Sequence, residues 1–362
     1  LQAAKRATVA ERFPLGSRHL RKRFAFPESF GHLSPSRDPV QTYSMKAAFL
    51  DYATVGAGEL DLSPLEAVSD ELSVYEHTPA EEVAERIADC SLLYINKVRM
   101  TREIIEQAGS LRFIGLLATG TDNVDLGAAR ENGVAVSNIR AYCTTSVVEH
   151  VFGVLLHFTH SLGRYNASVR RGEWQLAADF CMLSHPIREL SGMTLGIVGY
   201  GELGRGVTRI AEAFGMRVVV AERPGTAGDT DGRVPFAELL ADSDVVSLHC
   251  PLTEDTRSLI GRSELEKMKS SAILINTARG ALVDSRALVD ALSAGTIASA
   301  AIDVLSLEPP VDGDPLLEYG GSNLLVTPHI AWASLEARQN AVREVAANAS
   351  AFLRGEERNR VV

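Results

Sequence analysis

Three charged residues sit at the ends of apolar, strand-like runs in the last quarter of the chain. Arg279 follows AILINTA (272–278), Glu308 closely follows SAAIDV (299–304), and His329 follows NLLVTP (323–328). A guanidinium can grip a carboxylate through two parallel N–H bonds. An imidazole changes charge near neutral pH and can pass a proton to or from a reacting oxygen. A carboxylate beside that imidazole fixes its orientation and favours its protonated form. Brought into one crevice, the three hold a small carboxylic acid and move a proton. Taken singly, each has a plainer reading: a solvated loop histidine, an arginine pairing with Asp284, and a turn acid before two prolines. Their recurrence at three successive strand ends argues for a site, because ligands of open parallel α/β sheets bind outside the carboxyl ends of the strands.

The elements that must position these residues alternate. From Met45 the strand-like runs are KAAFLD (46–51), LSVYEH (72–77), SLLYIN (91–96), FIGLLAT (113–119) and VAVSNI (134–139). Helical patterns lie between them, at 79–89, at 101–109 with Thr101 as its N-cap, and at 124–133. A long helix is expected over 144–162, then a loop-rich stretch. A second alternation follows: TLGIVG, RVVVAE (217–222), VVSLHC (245–250), SAILINTA (271–278), SAAIDV and NLLVTP. The final segment, 334–355, reads as an amphipathic helix ending at Gly355. The fold class is therefore α/β, with two parallel-sheet units covered by helices.

The second alternation opens on a nucleotide fingerprint. A strand runs into Gly199-Tyr200-Gly201-Glu202-Leu203-Gly204, then a helix, then a second strand ending in Glu222. The glycines serve a tight turn, close approach to a pyrophosphate and close helix–strand packing. The helix N-terminus offers unpaired N–H groups and a positive dipole. Glu222 is placed to accept from ribose hydroxyls and would repel a 2′-phosphate, favouring NAD over NADP. Arg223 beside it keeps NADP open.

Composition narrows the function classes. Of 362 residues, 46% are hydrophobic and 23% charged, as in a soluble globular enzyme. The net charge of −10 is uneven: residues 1–44 hold eight Lys/Arg against three acids, so the rest carries −15. An acidic body argues against nucleic acid as a partner. No apolar run approaches the ~18 residues that span a membrane. The four cysteines show no metal-ligand spacing and read as reduced thiols of a cytoplasmic protein, with no metal expected. Residues 1–44, rich in Arg, Ser and Pro, have three readings: sequence upstream of a true start at Met45, a basic targeting segment for an organelle, or a disordered tail.

NTARG (276–280), DVLSLEPP (303–310) and TPHIAWAS (327–334), with the fingerprint and HCPLTEDT (249–256), make 45–362 resemble the D-isomer-specific 2-hydroxyacid dehydrogenases. LSPLEAV (62–68), INK (95–97), GLLATGTDNVD (115–125) and HIAWAS resemble the glycerate dehydrogenase (hydroxypyruvate reductase) branch. The resemblance implies a substrate domain split between 45–144 and 330–362, a coenzyme domain over 145–329 inserted between them, and a homodimer. The one support in the residues themselves for a dimer is the apolar face of 147–158. In this family His329 is the acid–base, Glu308 its orienting partner and Arg279 the carboxylate clamp. Cofactor contacts are implied at Gly199, Gly201, Glu202, Leu203, Gly204, Glu222, Pro251, Thr256, Thr277 and Asp303. Substrate contacts are implied at Lys97, Thr119, Gly120, Arg279 and Trp332. The implied reaction is NAD-dependent reduction of hydroxypyruvate or glyoxylate. Another small 2-oxo acid as substrate and a non-enzymatic NAD-sensing corepressor role are the alternatives.

Overall fold

The computed structural model describes residues 44–223 and 232–362. The segment 1–43, which holds nearly all of the basic tail, lies outside the described residues. Among the described residues, eleven strands form two wholly parallel sheets. The first takes β1 (Lys46–Phe49), β2 (Glu71–Val74), β3 (Leu92–Ile95), β4 (Phe113–Leu116) and β5 (Ala135–Ser137), in the order β2-β1-β3-β4-β5. The second takes β6 (Thr194–Val198), β7 (Arg217–Val220), β8 (Val245–Leu248), β9 (Ile273–Asn276), β10 (Ser299–Ile302) and β11 (Leu324–Val326), in the order β11-β10-β9-β8-β6-β7. Strands β3, β4, β8 and β9 are buried at every position, because helices cover both faces of a parallel sheet.

Each sheet reverses strand order at one point, and the two switch points differ in character. In the first sheet it lies between β1 and β3, and the chain fills it. Asp51, buried after β1, accepts from the N–H groups of Asn96 (2.9 Å), Lys97 (2.5 Å) and Val98 (3.0 Å) after β3. In the second sheet it lies between β6 and β8, where the Gly199 turn meets the His249–Cys250 backbone. Gly201 in the same turn faces open space.

The C-terminal helix, Leu335–Leu353, packs back on the first sheet. Its Ala341, Val342, Val345, Ala346 and Ala349 share a core with Phe49, Leu92, Tyr94 and Phe113. Gly115 in β4 permits this approach: a Cβ there would lie 2.4 Å from Val345 Cγ2. Buried Asn348 then ties the helix to its surroundings, donating to Asn138 O (2.8 Å) and accepting from Arg358 (2.7 Å).

The crossovers between the sheets are joined. The long helix, Thr144–Thr159, is reached from β5 through residues 138–143. The Ser146 hydroxyl donates to Ala331 O (2.7 Å) and accepts from Ser334 N (3.2 Å) on the returning segment. Tyr142 and Trp332 meet edge to face at 6.2 Å across the same junction.

Local details depart from expectation in three places. The long helix stops at Thr159, and a further helix, Leu162–Arg170, begins after Ser161 adopts φ 50°. That segment, LGRYNASVR, has too few apolar residues to announce itself by periodicity. Thr101 occupies the N-cap position, but its side chain makes no cap bond. The apolar face of 147–158 is consumed internally: Val148, Val151, Phe152, Val154 and Leu155 pack with Leu195, Ile197, Val207 and Ile275. These side chains are spent within one subunit and lend no support to a second.

Candidate active site

Strands β9, β10 and β11 lie side by side, and their carboxyl-end loops carry Arg279, Glu308 and His329 respectively. Glu308 Oε2 and His329 Nδ1 are 2.6 Å apart, while Glu308 Oε1 accepts from Leu305 N at 2.8 Å. One carboxylate oxygen thus fixes the acid to its own loop and the other orients the imidazole. Partial burial opposes ionisation of Glu308. The His329 and Leu305 hydrogen bonds and the charges of His329 and Lys97 outweigh it, holding the carboxyl below its ordinary range. His329 adopts φ 57°, a left-handed conformation uncommon for a non-glycine residue, and its N–H donates to Asp303 O at 2.7 Å. Such a conformation costs about 1–3 kcal/mol and persists only where its surroundings over-determine it.

Those surroundings are organised by Asp303, which is 2% exposed. Its Oδ1 accepts from Thr327 Oγ1 (2.6 Å) and Ile330 N (2.9 Å), and its Oδ2 from Ala331 N (2.9 Å). The implied cofactor contact at Asp303 is thus accompanied by an evident second task, clamping the loop that presents His329. Gly280 brings the Arg279 and Glu308 loops together, since a Cβ there would fall 2.0 Å from Leu305 C. Arg279 Nη1 donates to Ala278 O at 2.7 Å, and the loop is closed by Asn276 Nδ2 donating to Arg279 O.

The first sheet reaches into the same region. A Cβ added to Gly120 would lie 3.3 Å from Arg279 Nη2, so the Thr119–Gly120 peptide borders the guanidinium. Thr119 is anchored through its hydroxyl to Ile139 O (3.1 Å). The charge of Lys97 is felt at Glu308, and Tyr142 feels that of Arg279. Trp332, half-buried, stands against Tyr142. Sequence reading missed Tyr142, which lies in the connection between β5 and the long helix and belongs to no quoted motif. Burial, with the neighbouring Cys143, pushes its phenol up.

The fingerprint has the geometry a dinucleotide needs. Gly199 has φ 96°, and a Cβ would lie 2.5 Å from Cys250 N; a Cβ on Gly204 would lie 2.2 Å from Gly199 O. Gly201 faces open space, and no side chain caps the helix Glu202–Ala213, so the N–H groups of its first turn, including Glu202 and Leu203, stay available. Thr277 Oγ1 and His249 Nδ1 are buried without a hydrogen-bond partner among the described residues. Burial pushes His249 down to about 4, leaving a neutral ring whose Nε2 lies 2.9 Å from Ser247 Oγ. Pro251 is exposed beside this crevice, and the Thr256 hydroxyl is spent within its own loop, donating to Pro251 O at 2.8 Å. Glu222 lies just past β7, its N–H on Val234 O at 2.9 Å. Residues 224–231, which follow it, lie outside the described residues.

Comparison with known proteins agrees with this geometry. The family model for the D-isomer specific 2-hydroxyacid dehydrogenase NAD binding domain matches residues 152–331. The chain is 43% identical over 315 residues to glycerate dehydrogenase of Methylorubrum extorquens, covering 87% of this chain and 98% of that protein. The chain belongs to the D-isomer-specific 2-hydroxyacid dehydrogenases. Hydroxypyruvate reductase of Blautia hydrogenotrophica is 39% identical over 317 residues, covering 86% of this dehydrogenase and 98% of the relative. The crystal structure of the TT0316 protein from Thermus thermophilus superposes with a TM-score of 0.76 at 35% identity, covering 88% of this dehydrogenase and 100% of that chain. The enzyme is thus an oxidoreductase with a nicotinamide-dinucleotide-binding unit.

Proposed function

We propose that this dehydrogenase reduces a small 2-oxo acid, hydroxypyruvate or glyoxylate, to the corresponding D-2-hydroxy acid, with NADH preferred over NADPH. The observation that carries the reading is the 2.6 Å His329–Glu308 pair at the ends of adjacent strands, beside the strand that ends in Arg279. Bound at the fingerprint, the dihydronicotinamide supplies the hydride. Arg279 holds the substrate carboxylate, with the Thr119–Gly120 peptide offering N–H groups from the opposite wall. His329, protonated and held by Glu308, gives its proton to the carbonyl oxygen as the carbon is reduced; in the reverse direction it accepts that proton. Lys97 adds positive charge at the cleft, and Trp332 with Tyr142 closes its far side.

Three features support the finer assignments. Glu222 at the end of the fingerprint unit disfavours a 2′-phosphate. Relatives of this enzyme carry the names glycerate dehydrogenase and hydroxypyruvate reductase. The C-terminal helix shares a core with the first sheet, which fits a substrate domain of 45–144 plus 330–362 around a coenzyme domain of 145–329.

The enzyme is further read as a homodimer that does not bind nucleic acid. Dimerisation is assigned to the segment after the helix Leu162–Arg170, where Leu176, Phe180 and Leu183 are 87%, 90% and 84% exposed. An apolar arm of this kind marks an interface.

The test is a panel of hydroxypyruvate, glyoxylate, pyruvate and 2-oxoglutarate, each in excess, with NADH or NADPH. Hydroxypyruvate or glyoxylate with NADH is expected to give the highest kcat/KM. Tight NADH binding without turnover of any 2-oxo acid would instead make the chain a dinucleotide sensor.

A further inference from the structure

A cavity of about 620 Å³ lies between the β5-to-helix connection and the C-terminal helix, and Arg279, Glu308 and His329 are not among its lining residues. Arg140, Ala141 and Tyr142 of the β5-to-helix connection form one wall. Asn340, Arg343 and Glu344 of the C-terminal helix form another, and Arg358 and Asn359 close it. Three guanidinium groups and a single carboxylate therefore line one space.

The charges are unequally satisfied. Arg358 is neutralised by Glu344, with contacts of 3.0 and 3.2 Å, and is locked by the Asn348 carbonyl oxygen at 2.7 Å. The single carboxylate is thereby spent. Arg343 has one hydrogen-bond partner among the described residues, the neutral Asn340 Oδ1 at 3.2 Å, although Asp61 feels its charge. Arg140, exposed, makes no hydrogen bond or ion pair among the described residues. Two guanidinium groups thus remain for an incoming anion.

The backbone is held in unusual conformations at the same place. Of five non-glycine residues with left-handed φ among those described, two line this cavity: Ala141 at 59° and Asn359 at 50°. Asparagine tolerates that region, but alanine has no side chain to compensate. Strain of this kind collects at ligand clamps and switch segments. Here it sits one residue before Tyr142, which packs on Trp332 and feels Arg279.

We propose that this cavity is a second ligand site, taking the dianionic phosphate of inorganic phosphate or of a small phosphomonoester between Arg140 and Arg343. Paired guanidinium forks match phosphate oxygens better than point charges do. A ligand so held bridges the crossover to the C-terminal helix. The site is separate from Arg279, the other exposed guanidinium assigned to an anion.

Calorimetric titration of inorganic phosphate into the full chain, at constant ionic strength with chloride as the exchanged ion, tests this directly. Saturable one-to-one binding is expected. It should weaken by about tenfold or more in Arg140→Ala and again in Arg343→Ala, as for loss of charge-assisted hydrogen bonds. It should persist in Arg279→Ala. Phosphate should also protect Arg140 and Arg343 of the unmodified sequence from phenylglyoxal, read by mass spectrometry, which requires no variant to fold. Glycerol 3-phosphate in parallel distinguishes the sources: tighter binding than phosphate assigns a monoester, equal binding assigns the free ion. Binding abolished by Arg279→Ala but untouched by the other two substitutions would overturn the proposal. So would a merely non-saturating response with no protection.

Discussion

Glu308 takes two donors at once, and this divided use explains why a carboxylate serves where an amide would not. Leu305 N–H sets the side chain, and His329 is then set by it. The downward shift of its pKa has a definite consequence. A carboxyl depressed in the folded state contributes stability that is complete above its unfolded value and is lost as pH falls through the folded one. At neutral pH the Glu308 carboxylate is therefore ionised, and it takes up its proton only in acid. Glu308→Gln keeps the shape but replaces the charged acceptor of the imidazole by a neutral amide. With hydroxypyruvate and NADH, kcat is expected to fall by about tenfold or more, as for loss of a hydrogen bond to a charged group. An unchanged kcat would show that Glu308 does not orient His329.

At the scale of elements, the site depends on close approach between backbones. Gly115 lets the C-terminal helix seat on β4 with Val345 directly above it. Gly115→Ala forces that helix to shift and is expected to destabilise the protein by about 1–3 kcal/mol, read as a lowered midpoint in urea. An unchanged midpoint would mean the helix yields at no cost. The strand ends were legible because buried parallel strands are continuous apolar runs, so Arg279, Glu308 and His329 stand out where those runs stop. The glycine fingerprint was legible for the same reason. Other features depend on contacts distant in sequence and leave no local mark. Asp303 clamping 327–331, Asp51 filling the first switch point and Tyr142 meeting Trp332 are of this kind. The face of 147–158 misled in a different way. Apolar periodicity reports that a helix face is covered, not whether its own chain or another covers it.

At the scale of the molecule, the candidate site draws on both sheets. The second contributes the Arg279, Glu308 and His329 loops, and the first brings Gly120 close to Arg279 and the charge of Lys97 within reach of Glu308. The exposed Leu176, Phe180 and Leu183 extend that reasoning to a second copy of the chain. Replacing all three by serine is expected to convert a dimer to a monomer in sedimentation velocity. A parent enzyme that already sediments as a monomer would contradict this assignment. The central claim, that His329 transfers the proton while the fingerprint holds the dinucleotide independently, is tested most directly by His329→Ala. With hydroxypyruvate and NADH, kcat is expected to fall by about 10²–10⁴-fold, the usual worth of a positioned acid–base. NADH affinity, measured by fluorescence titration on the same preparation, should stay within about twofold of the parent, well under about 1 kcal/mol. Ordinary turnover in this variant would contradict the account.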